Sequence, residues 1–160
     1  MRTDPARLAL LKRVLLLESP SEILYDKFTQ LLAENLDVPI AILNLLDVDR
    51  DLFKSCIGLS VTESPAATSF CETFFDTKAD LVVAEDTLAD ARFANHPFVA
   101  SPPHIRFYAG ARLVVDGHTV GTLCAYDLKP KVLSLEQLDN MRMLAAAVIE
   151  SLRSRLDLHP

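Results

Sequence analysis

The sequence has no tryptophan, four glycines and three cysteines in 160 residues. Four glycines are too few to build a loop that cradles phosphate groups in addition to the turns of a fold. The odd cysteine count, with no Cys-x-x-Cys pair, argues against a disulfide framework and a structural zinc site. Because free thiols persist in reducing compartments, we expect a cytoplasmic protein, and we assign no residue as a metal ligand.

Basic clusters and long apolar runs are also missing. The net charge is −6 and no basic run exceeds two residues, whereas nucleic-acid binding depends on Lys and Arg. No stretch reaches the roughly 20 apolar residues that span a bilayer, and Lys12 and Arg13 interrupt the leucine-rich segment 8–17. We therefore expect neither a nucleic-acid partner nor a membrane partner.

Patterns that carry catalysis are missing too. The four histidines show no helical zinc-binding spacing, and no Ser-His-Asp arrangement stands out. His96 and His104 fall in a long loop, where each either ligates haem iron or, as we expect, lies in solvent. We therefore predict that the chain is not an enzyme.

The segment Phe107–Asp127 is the most informative part of what is present. Two apolar, β-favouring runs flank Asp116-Gly117, a dipeptide typical of tight hairpin turns because both residues tolerate positive φ. Gly110 and Gly121 lie inside these runs, where a glycine costs stability. The two glycines predict that something packs closely against a face of the sheet.

The rest of the chain alternates helical and strand patterns. A first helix starts at Pro5 with Asp4 as its cap, and capping boxes mark three further helix starts, at Ser19–Glu22, Ser69–Glu72 and Ser134–Gln137. Strand patterns cover 40–46, 52–57, 80–84, 105–115 and 118–127, with loops at 58–67 and 86–103. This order predicts a single α+β domain over residues 1–160, with a mainly antiparallel sheet and helices on one side.

The helices are rich in leucine, and half of all residues are hydrophobic. The second helix, ending near Leu36, is predicted to bury Leu24, Phe28, Leu31 and Leu32. Leu8, Leu11 and Leu15 recur on one face of the first helix. The last helix carries a heptad seam, formed by Leu138, Met141, Ala145, Val148, Leu152 and Arg155. We interpret the surplus leucine as an oligomer interface and predict a homodimer through the terminal helices.

The ordered motifs resemble those of GAF domains, of the type found at the N-terminus of bacterial diguanylate cyclases and histidine kinases. The resemblance covers about residues 21–152. Its markers are Asp49-Arg50, Phe53-Lys54, Gly58-Leu59, Ser69-Phe70-Cys71, Asp86, Asp90, Arg92-Phe93, Pro97, the segment 105–110, Gly117, the segment 121–124, Asp127 and Pro130. Two positions depart from the pattern: Arg112 stands where proline is common, and Leu52 where tryptophan is frequent.

The resemblance implies a six-stranded, mainly antiparallel sheet with the N- and C-terminal helices on one face. The other face would carry a crossover segment, residues 69–108, with a ligand cavity beneath it. Such domains are sensory modules that bind cyclic nucleotides, tetrapyrroles, haem, amino acids or small anions, so the ligand stays open. The response would pass through the terminal helices to a signalling partner, or to the rest of a longer protein from which this chain is an excised input domain.

We assign eleven candidate ligand-binding residues on this basis: Phe53, Ser69, Phe70, Cys71, Phe74, Asp86, Arg92, Phe93, Phe107, Tyr108 and Cys124. Cys71 is either a reactive thiol whose pKa a helix N-terminus lowers, or a small buried residue. The aromatic residues either line a cavity or form core, and a buried Tyr108 needs a hydrogen-bond partner.

The charged residues of this region also have two interpretations. Asp86, Asp90 and Arg92 either clamp a polar ligand or cap turns and pair with each other. Arg106 and Arg112 share a face of the predicted strand and form either an anion site or a solvated edge.

Two alternative functions remain. One is an enzyme similar to free methionine-(R)-sulfoxide reductases, which need a nucleophilic thiolate and a resolving cysteine. The Gly-Val-Cys-Gly and His-Ile-Ala-Cys-Asp elements of those enzymes are missing here. The other is a dimerisation scaffold whose aromatic residues fill the space that a small ligand would need.

Overall fold

The computed structural model describes residues 1–16 and 22–158, which contain a six-stranded sheet with a layer on each face. The strands are β1 (Ile40–Leu46), β2 (Arg50–Ile57), β3 (Glu63–Pro65), β4 (Leu81–Ala84), β5 (Phe107–Val115) and β6 (His118–Asp127). Their order is β3-β2-β1-β6-β5-β4, and every neighbouring pair is antiparallel. The predicted α+β class and the six-stranded sheet are confirmed.

Three helices cover one face of the sheet: α1 (Pro5–Leu16), α2 (Glu22–Leu36) and α4 (Leu135–Leu158). Strand residues facing them alternate with residues facing the other layer, as the two-residue period of a strand requires. β1 is buried along its whole length because both of its faces are covered. The core under the helices includes Leu11, Leu32, Leu36, Leu43, Phe107, Ala109, Leu113, Leu123, Met141 and Val148.

The opposite face is covered by the crossover between β3 and β5. It contains a six-residue 3-10 helix, Phe70–Phe75, here called the crossover helix, and a short helix α3 (Pro97–Ala100). The second core lies beneath it and comprises Ile40, Ile42, Leu46, Phe70, Cys71, Phe74, Val82, Ala84, Phe93, Val99, Ile105, Tyr108 and Cys124. This is the layer in which the resemblance locates a ligand.

Several local predictions are confirmed by the backbone. The hairpin turn at Asp116-Gly117 has φ values of 49° and 79°, as a two-residue turn with both positions left-handed requires. In the last capping box, Ser134 N donates to Gln137 Oε1 at 2.9 Å and Gln137 N donates to Ser134 Oγ at 3.1 Å. The predicted capping box at 19–22 lies outside the described residues.

The buried face of α2 matches the prediction at two of four positions, Phe28 and Leu32, which pack into the helical core. Leu24 and Leu31 are 41% and 50% exposed, whereas Tyr25 and Thr29 are buried. Thr29 Oγ1 lies 2.8 Å from Ser55 Oγ on β2, so this helix packs partly through a polar contact. A pattern based on apolar residues alone misses such a face.

Short elements occur where loops were predicted, among them β3 and α3. β3 pairs with the edge of β2, with Leu52 opposite Glu63. α3 begins at Pro97, and His96 is its cap, because His96 Nδ1 accepts a hydrogen bond from Phe98 N at 3.0 Å. Proline at the first helical position suits such a start.

The heptad seam of α4 lies inside the chain's own core. Met141, Val148 and Leu152 are at most 5% exposed and pack against the helical face of the sheet, and Leu11 of α1 is buried in the same core. The pattern that suggested a dimer interface is therefore explained by packing of α1 and α4 onto the sheet. The homodimer remains a prediction, and the buried residues of α1 and α4 no longer support it.

Candidate functional site

The crossover helix is fixed at its first residue by Ser69. Ser69 Oγ accepts a hydrogen bond from Cys71 N at 3.0 Å, as expected for a helix cap, and Ser69 Oγ also bonds to the Asp51 carboxylate. Glu72 does not complete the predicted capping box, because its carboxylate pairs with Arg2 instead. Burial raises the pKa of Asp51, with the contacts to Ser69 and Arg2 opposing that shift.

An aromatic layer lies beneath the crossover. The ring of Phe70 stacks on His96 and Tyr108, with centroid distances of 4.1 Å and 5.2 Å. It also contacts Phe93 at 5.2 Å and the edge of Tyr126 at 5.5 Å. Phe70 therefore sits at the centre of a group of rings that joins the crossover helix, α3 and strands β5 and β6.

The rings reach the sheet at Gly110. A Cβ atom built on Gly110 would stand 2.3 Å from Tyr108 Oη and 2.9 Å from Phe74 Cε2. The prediction that something packs closely at this glycine is confirmed, and the packing groups are the chain's own side chains. At Gly121 the close neighbour is backbone instead, since an added Cβ would lie 2.2 Å from the Asn44 carbonyl oxygen of β1.

A buried polar centre lies under the aromatic layer, where Cys71 meets strands β1, β5 and β6. Cys71 Sγ is 3.4 Å from Cys124 Sγ, 3.0 Å from Thr122 Oγ1 and 3.6 Å from Tyr108 Oη. Asn44 Nδ2 is 3.2 Å from Thr122 Oγ1 and 3.6 Å from Cys124 Sγ. All five side chains are at most 1% exposed.

The polar centre changes the ionisation of both cysteines. The hydrogen bond with Cys124 and burial raise the pKa of Cys71 well above its ordinary value, which matches the interpretation of Cys71 as a small buried residue rather than a helix-activated thiol. Burial opposes ionisation of Cys124, yet hydrogen bonds with Cys71, Thr122 and Tyr108 outweigh it and lower the pKa of Cys124. Burial also raises the pKa of Tyr108.

Asn44 has an unsatisfied amide atom in this centre. Its Oδ1 is buried and has no hydrogen-bond partner among the described residues. Exchanging the amide oxygen and nitrogen would leave the nitrogen alone instead, so one polar atom is unpaired in either orientation. An unpaired buried amide costs free energy, and a polar group that reaches it would recover that cost.

Arg112 on β5 and Arg106, just before this strand, bind the crossover backbone rather than forming an anion site. Arg112 donates to the carbonyl oxygens of Phe74 at 2.7 Å, Thr77 at 2.5 Å and Ala79 at 3.1 Å. Arg106 donates to the Val99 carbonyl oxygen at 2.8 Å. The arginine that replaces the common proline thus anchors the segment after the crossover helix.

The acidic candidates cap turns. Asp86 Oδ1 accepts from Leu88 N at 3.1 Å, and Asp90 Oδ1 accepts from Arg92 N at 3.0 Å. Arg92 pairs with the Asp90 carboxylate at 2.7 Å and is half exposed. The hydrogen bonds and ion pair with Arg92 lower the pKa of Asp90. These contacts match the structural interpretation of this trio.

Two aromatic candidates and one histidine lie apart from their predicted positions. Phe107 belongs to the helical core on the opposite face of the sheet and cannot contact a ligand beneath the crossover. Phe53 is half-buried at the edge of the crossover core, and it also lines a separate cleft of about 330 Å³ beside Leu15 and Lys54. His96 is half-buried rather than solvated, and its Nε2 lies 3.0 Å from the Thr68 carbonyl oxygen.

The N-terminal segment contributes residues that sequence reasoning missed. Arg2 is 7% exposed and bonds to Glu72 Oε2 at 2.8 Å and Asp51 Oδ1 at 3.0 Å. The guanidinium groups of Arg2 and Arg7 each lie 5.2 Å from the centre of the Phe75 ring. Both are attracted to the ring by cation–π interaction. The crossover helix is therefore tied to the start of α1, and no local motif predicts these long-range contacts.

Arg7 extends this connection to the sheet. It is 2% exposed, and its Nη1 donates to the Leu46 carbonyl oxygen at 2.6 Å and to the Thr119 carbonyl oxygen at 3.2 Å. Its Nη2 donates to the Arg2 carbonyl oxygen at 2.6 Å. We call residues 1–7 the arginine arm, because Arg2 and Arg7 together join the crossover helix, the ends of β1 and β6, and α1.

Two features are absent from residues 1–16 and 22–158. In this part of the chain, no helix is both long and apolar enough to cross a membrane. The same residues hold no group of three or more His, Cys, Asp or Glu side chains arranged to bind a metal ion. The thiols of the polar centre are thus grouped with hydroxyl and amide groups rather than with further metal ligands.

Comparisons with known proteins agree with the geometry. Residues 21–152 match the family described as GAF domain. A cyclic di-GMP phosphodiesterase of Pseudomonas aeruginosa is 34% identical over an alignment of 156 residues, and the match covers 94% of this chain and 26% of that protein. The chain thus spans about a quarter of the length of this relative.

Solved structures share the fold at low identity. The GAF domain of an Acinetobacter phosphoenolpyruvate-protein phosphotransferase is 16% identical over 99% of both chains, with a TM-score of 0.70. A type II free methionine-R-sulfoxide reductase from Thermoplasma acidophilum is 13% identical, covers 84% of this chain and 93% of its own, and has a TM-score of 0.66. At such identities the likeness concerns the fold alone.

Proposed function

We propose that this chain senses a small molecule beneath the crossover and passes the response to its terminal helices. The basis is that the chain belongs to the GAF domain family. In this proposal the chain is a non-catalytic regulatory module. By analogy with the Pseudomonas relative, its output is the control of a cyclic di-GMP-processing enzyme, either on the same polypeptide or as a partner. Dimerisation through the terminal helices is part of the proposal.

The connection between the crossover helix and the arginine arm carries the proposal. Phe70 faces the aromatic layer, while Glu72 and Phe75 of the same 3-10 helix contact Arg2. Because the helix has only six residues, a ligand that displaces Phe70 must also move Glu72 and Phe75, which contact Arg2. The arginine arm begins α1, so this movement reaches a terminal helix directly.

The proposed ligand position is supported by the presence of both aromatic and polar groups beneath the crossover. Flat rings offer stacking surfaces, and the unpaired Asn44 amide atom lies in the polar centre under them. The described side chains already pack in this space, so binding requires Phe70 to move outward. Ring displacement of this kind shifts a pre-existing equilibrium by the difference in affinity between the two arrangements.

A ligand screen tests this proposal. Thermal unfolding would be followed for the wild-type protein and for Asn44→Leu, each with a panel of cyclic nucleotides, amino acids, bilins and haem. We expect at least one compound to raise the Tm of the wild type and to have a smaller effect on the variant, because binding to the folded state raises Tm. Native mass spectrometry of protein purified from its host would show the same compound class as a surplus mass.

The dense packing at Gly110 favours one alternative, a ligand-free dimerisation scaffold. In that case no compound raises Tm and the native and denatured masses agree. The reductase alternative has the close Cys71 and Cys124 thiols in its favour, but both sulfurs are buried. A reductase would turn over free methionine sulfoxide with a dithiol reductant, whereas a sensory module would not.

A further inference from the structure

The two buried cysteines face each other across the crossover core. Cys71 lies on the crossover helix and Cys124 on β6, and their sulfur atoms are 3.4 Å apart. A disulfide holds its sulfurs about 2.05 Å apart, so bond formation requires an approach of less than about 1.5 Å. The mobile partner in such an approach is the crossover helix, because β6 is a central strand paired on both sides.

The surroundings of the pair favour thiolate chemistry on one sulfur. Tyr108 Oη is 3.4 Å, Thr122 Oγ1 is 3.1 Å and Asn44 Nδ2 is 3.6 Å from Cys124 Sγ. Donors of this kind stabilise a thiolate, and the pKa of Cys124 is lowered while that of Cys71 is raised. One cysteine is thus suited to be the attacking thiolate and the other to be the resolving thiol.

We propose that Cys71 and Cys124 are a redox dithiol that closes to an intramolecular disulfide when hydrogen peroxide enters the crossover core. The Cys124 thiolate attacks one peroxide oxygen, the O–O bond breaks, and hydroxide leaves to give a sulfenic acid on Cys124. Cys71 then attacks that sulfur, and the S–O bond breaks as the S–S bond forms. The two thiols together lose two electrons, the peroxide gains them, and two water molecules result.

Access depends on local opening. Both sulfurs are at most 1% exposed, and a short 3-10 helix has weaker hydrogen-bond geometry than an α-helix. Opening of the crossover helix admits a molecule as small as hydrogen peroxide to both sulfurs. Closing the bond draws this helix toward β6, and Glu72 and Phe75 of the same helix contact the arginine arm. The redox state of the pair therefore reaches α1 by the same contacts as a ligand.

Intact mass and thiol counting test the proposal. The working protein is Cys56→Ser, which removes the third, half-buried thiol and leaves the pair as the chain's remaining cysteines. Folded protein would be treated with hydrogen peroxide, denatured, alkylated and weighed. We expect the loss of two hydrogen atoms in mass, no alkylation, and recovery of both alkylations after dithiothreitol. Proteolysis should yield the peptides of Cys71 and Cys124 joined to each other.

A matched control separates pair chemistry from general oxidation. Cys56→Ser with Cys124→Ala retains Cys71 alone and should gain oxygen atoms or stay unmodified, without the loss of two hydrogen atoms. Equilibration of Cys56→Ser in oxidised and reduced glutathione gives a second readout that does not depend on peroxide reaching the core. The proposal is overturned if both thiols still alkylate after full equilibration in oxidised glutathione, or if linked material is intermolecular.

Discussion

The phenol of Tyr108 lies over Gly110, and a methyl group on that glycine would stand 2.3 Å from the phenol oxygen. The contact explains why a strand that is buried on both faces contains a glycine. Tyr108 and Gly110 lie two residues apart on β5 and therefore face the same side of the sheet, where the glycine leaves room for the ring. The freedom of the crossover to move depends on how tightly the Tyr108 ring is held against the sheet.

Gly110→Ala should destabilise the protein by about 1–3 kcal/mol, the usual cost of overpacking a core. Tyr108→Phe removes the oxygen nearest to the added methyl group, so the same alanine should cost less in that background. Urea unfolding of the wild type, both single variants and the double variant would measure this coupling. Strictly additive effects would show that the glycine is present for another reason.

Arg112→Met should loosen the segment that follows the crossover helix. The guanidinium donates to three backbone carbonyls, and each charge-assisted bond contributes about 1.5–3 kcal/mol before solvent screening, so we expect a net loss of about 2 kcal/mol. Amide exchange should rise over residues 74–80. Arg142→Met is the control, because its exposed pair with Asp139 should contribute less than about 0.5 kcal/mol. Equal losses for the two variants would contradict the anchoring role.

The free energy of unfolding should fall as the pH drops below the ordinary pKa of histidine, and His96 should account for part of this loss. Burial lowers the pKa of His96 below 6.5, so the folded state binds fewer protons than the unfolded state. The contribution of His96 is thus complete above pH 6.5 and declines as the pH falls below this value. Protonation also removes the acceptor that Phe98 N uses.

His96→Asn isolates this contribution, because asparagine also caps helices but does not titrate. Urea unfolding of both proteins at a series of pH values between about 7.5 and about 5.5 covers the range in which histidine titrates. The variant should lose less stability than the wild type over this range. A parallel decline in the two proteins would assign the pH dependence to other groups.

Local signals predicted local structure well. The Asp116-Gly117 turn and the Ser134–Gln137 capping box depend on neighbouring residues, and the structure has both as predicted. Together with the resemblance, they were enough to predict a six-stranded, mainly antiparallel sheet with a crossover over one face, but not the order of its strands. The spacing of apolar residues did not predict the whole buried face of α2, because Thr29 is also buried there and its hydroxyl contacts Ser55.

The sequence predicted only some of the residues that meet beneath the crossover, and it did not predict Asn44 or Thr122 among them. Phe70, Cys71 and Tyr108 meet as their positions in the motifs suggested. The contacts of Arg2 and Arg112 were not predictable, because each arginine binds groups more than 30 residues away in sequence. The pKa of Cys71 depends on Cys124, a neighbour that a helix-end argument does not consider.

Amide hydrogen exchange of Phe70→Leu tests whether the position of Phe70 is coupled to the arginine arm. The variant shrinks the ring that contacts His96 and Tyr108 while leaving Arg2, Glu72 and Phe75 in place. Phe98→Leu, which alters a more exposed ring on α3, is the matched control. We expect faster exchange in Phe70→Leu both over 69–76 and over α1, with little change in the control. Faster exchange confined to 69–76, with α1 as protected as in the wild type, would contradict it.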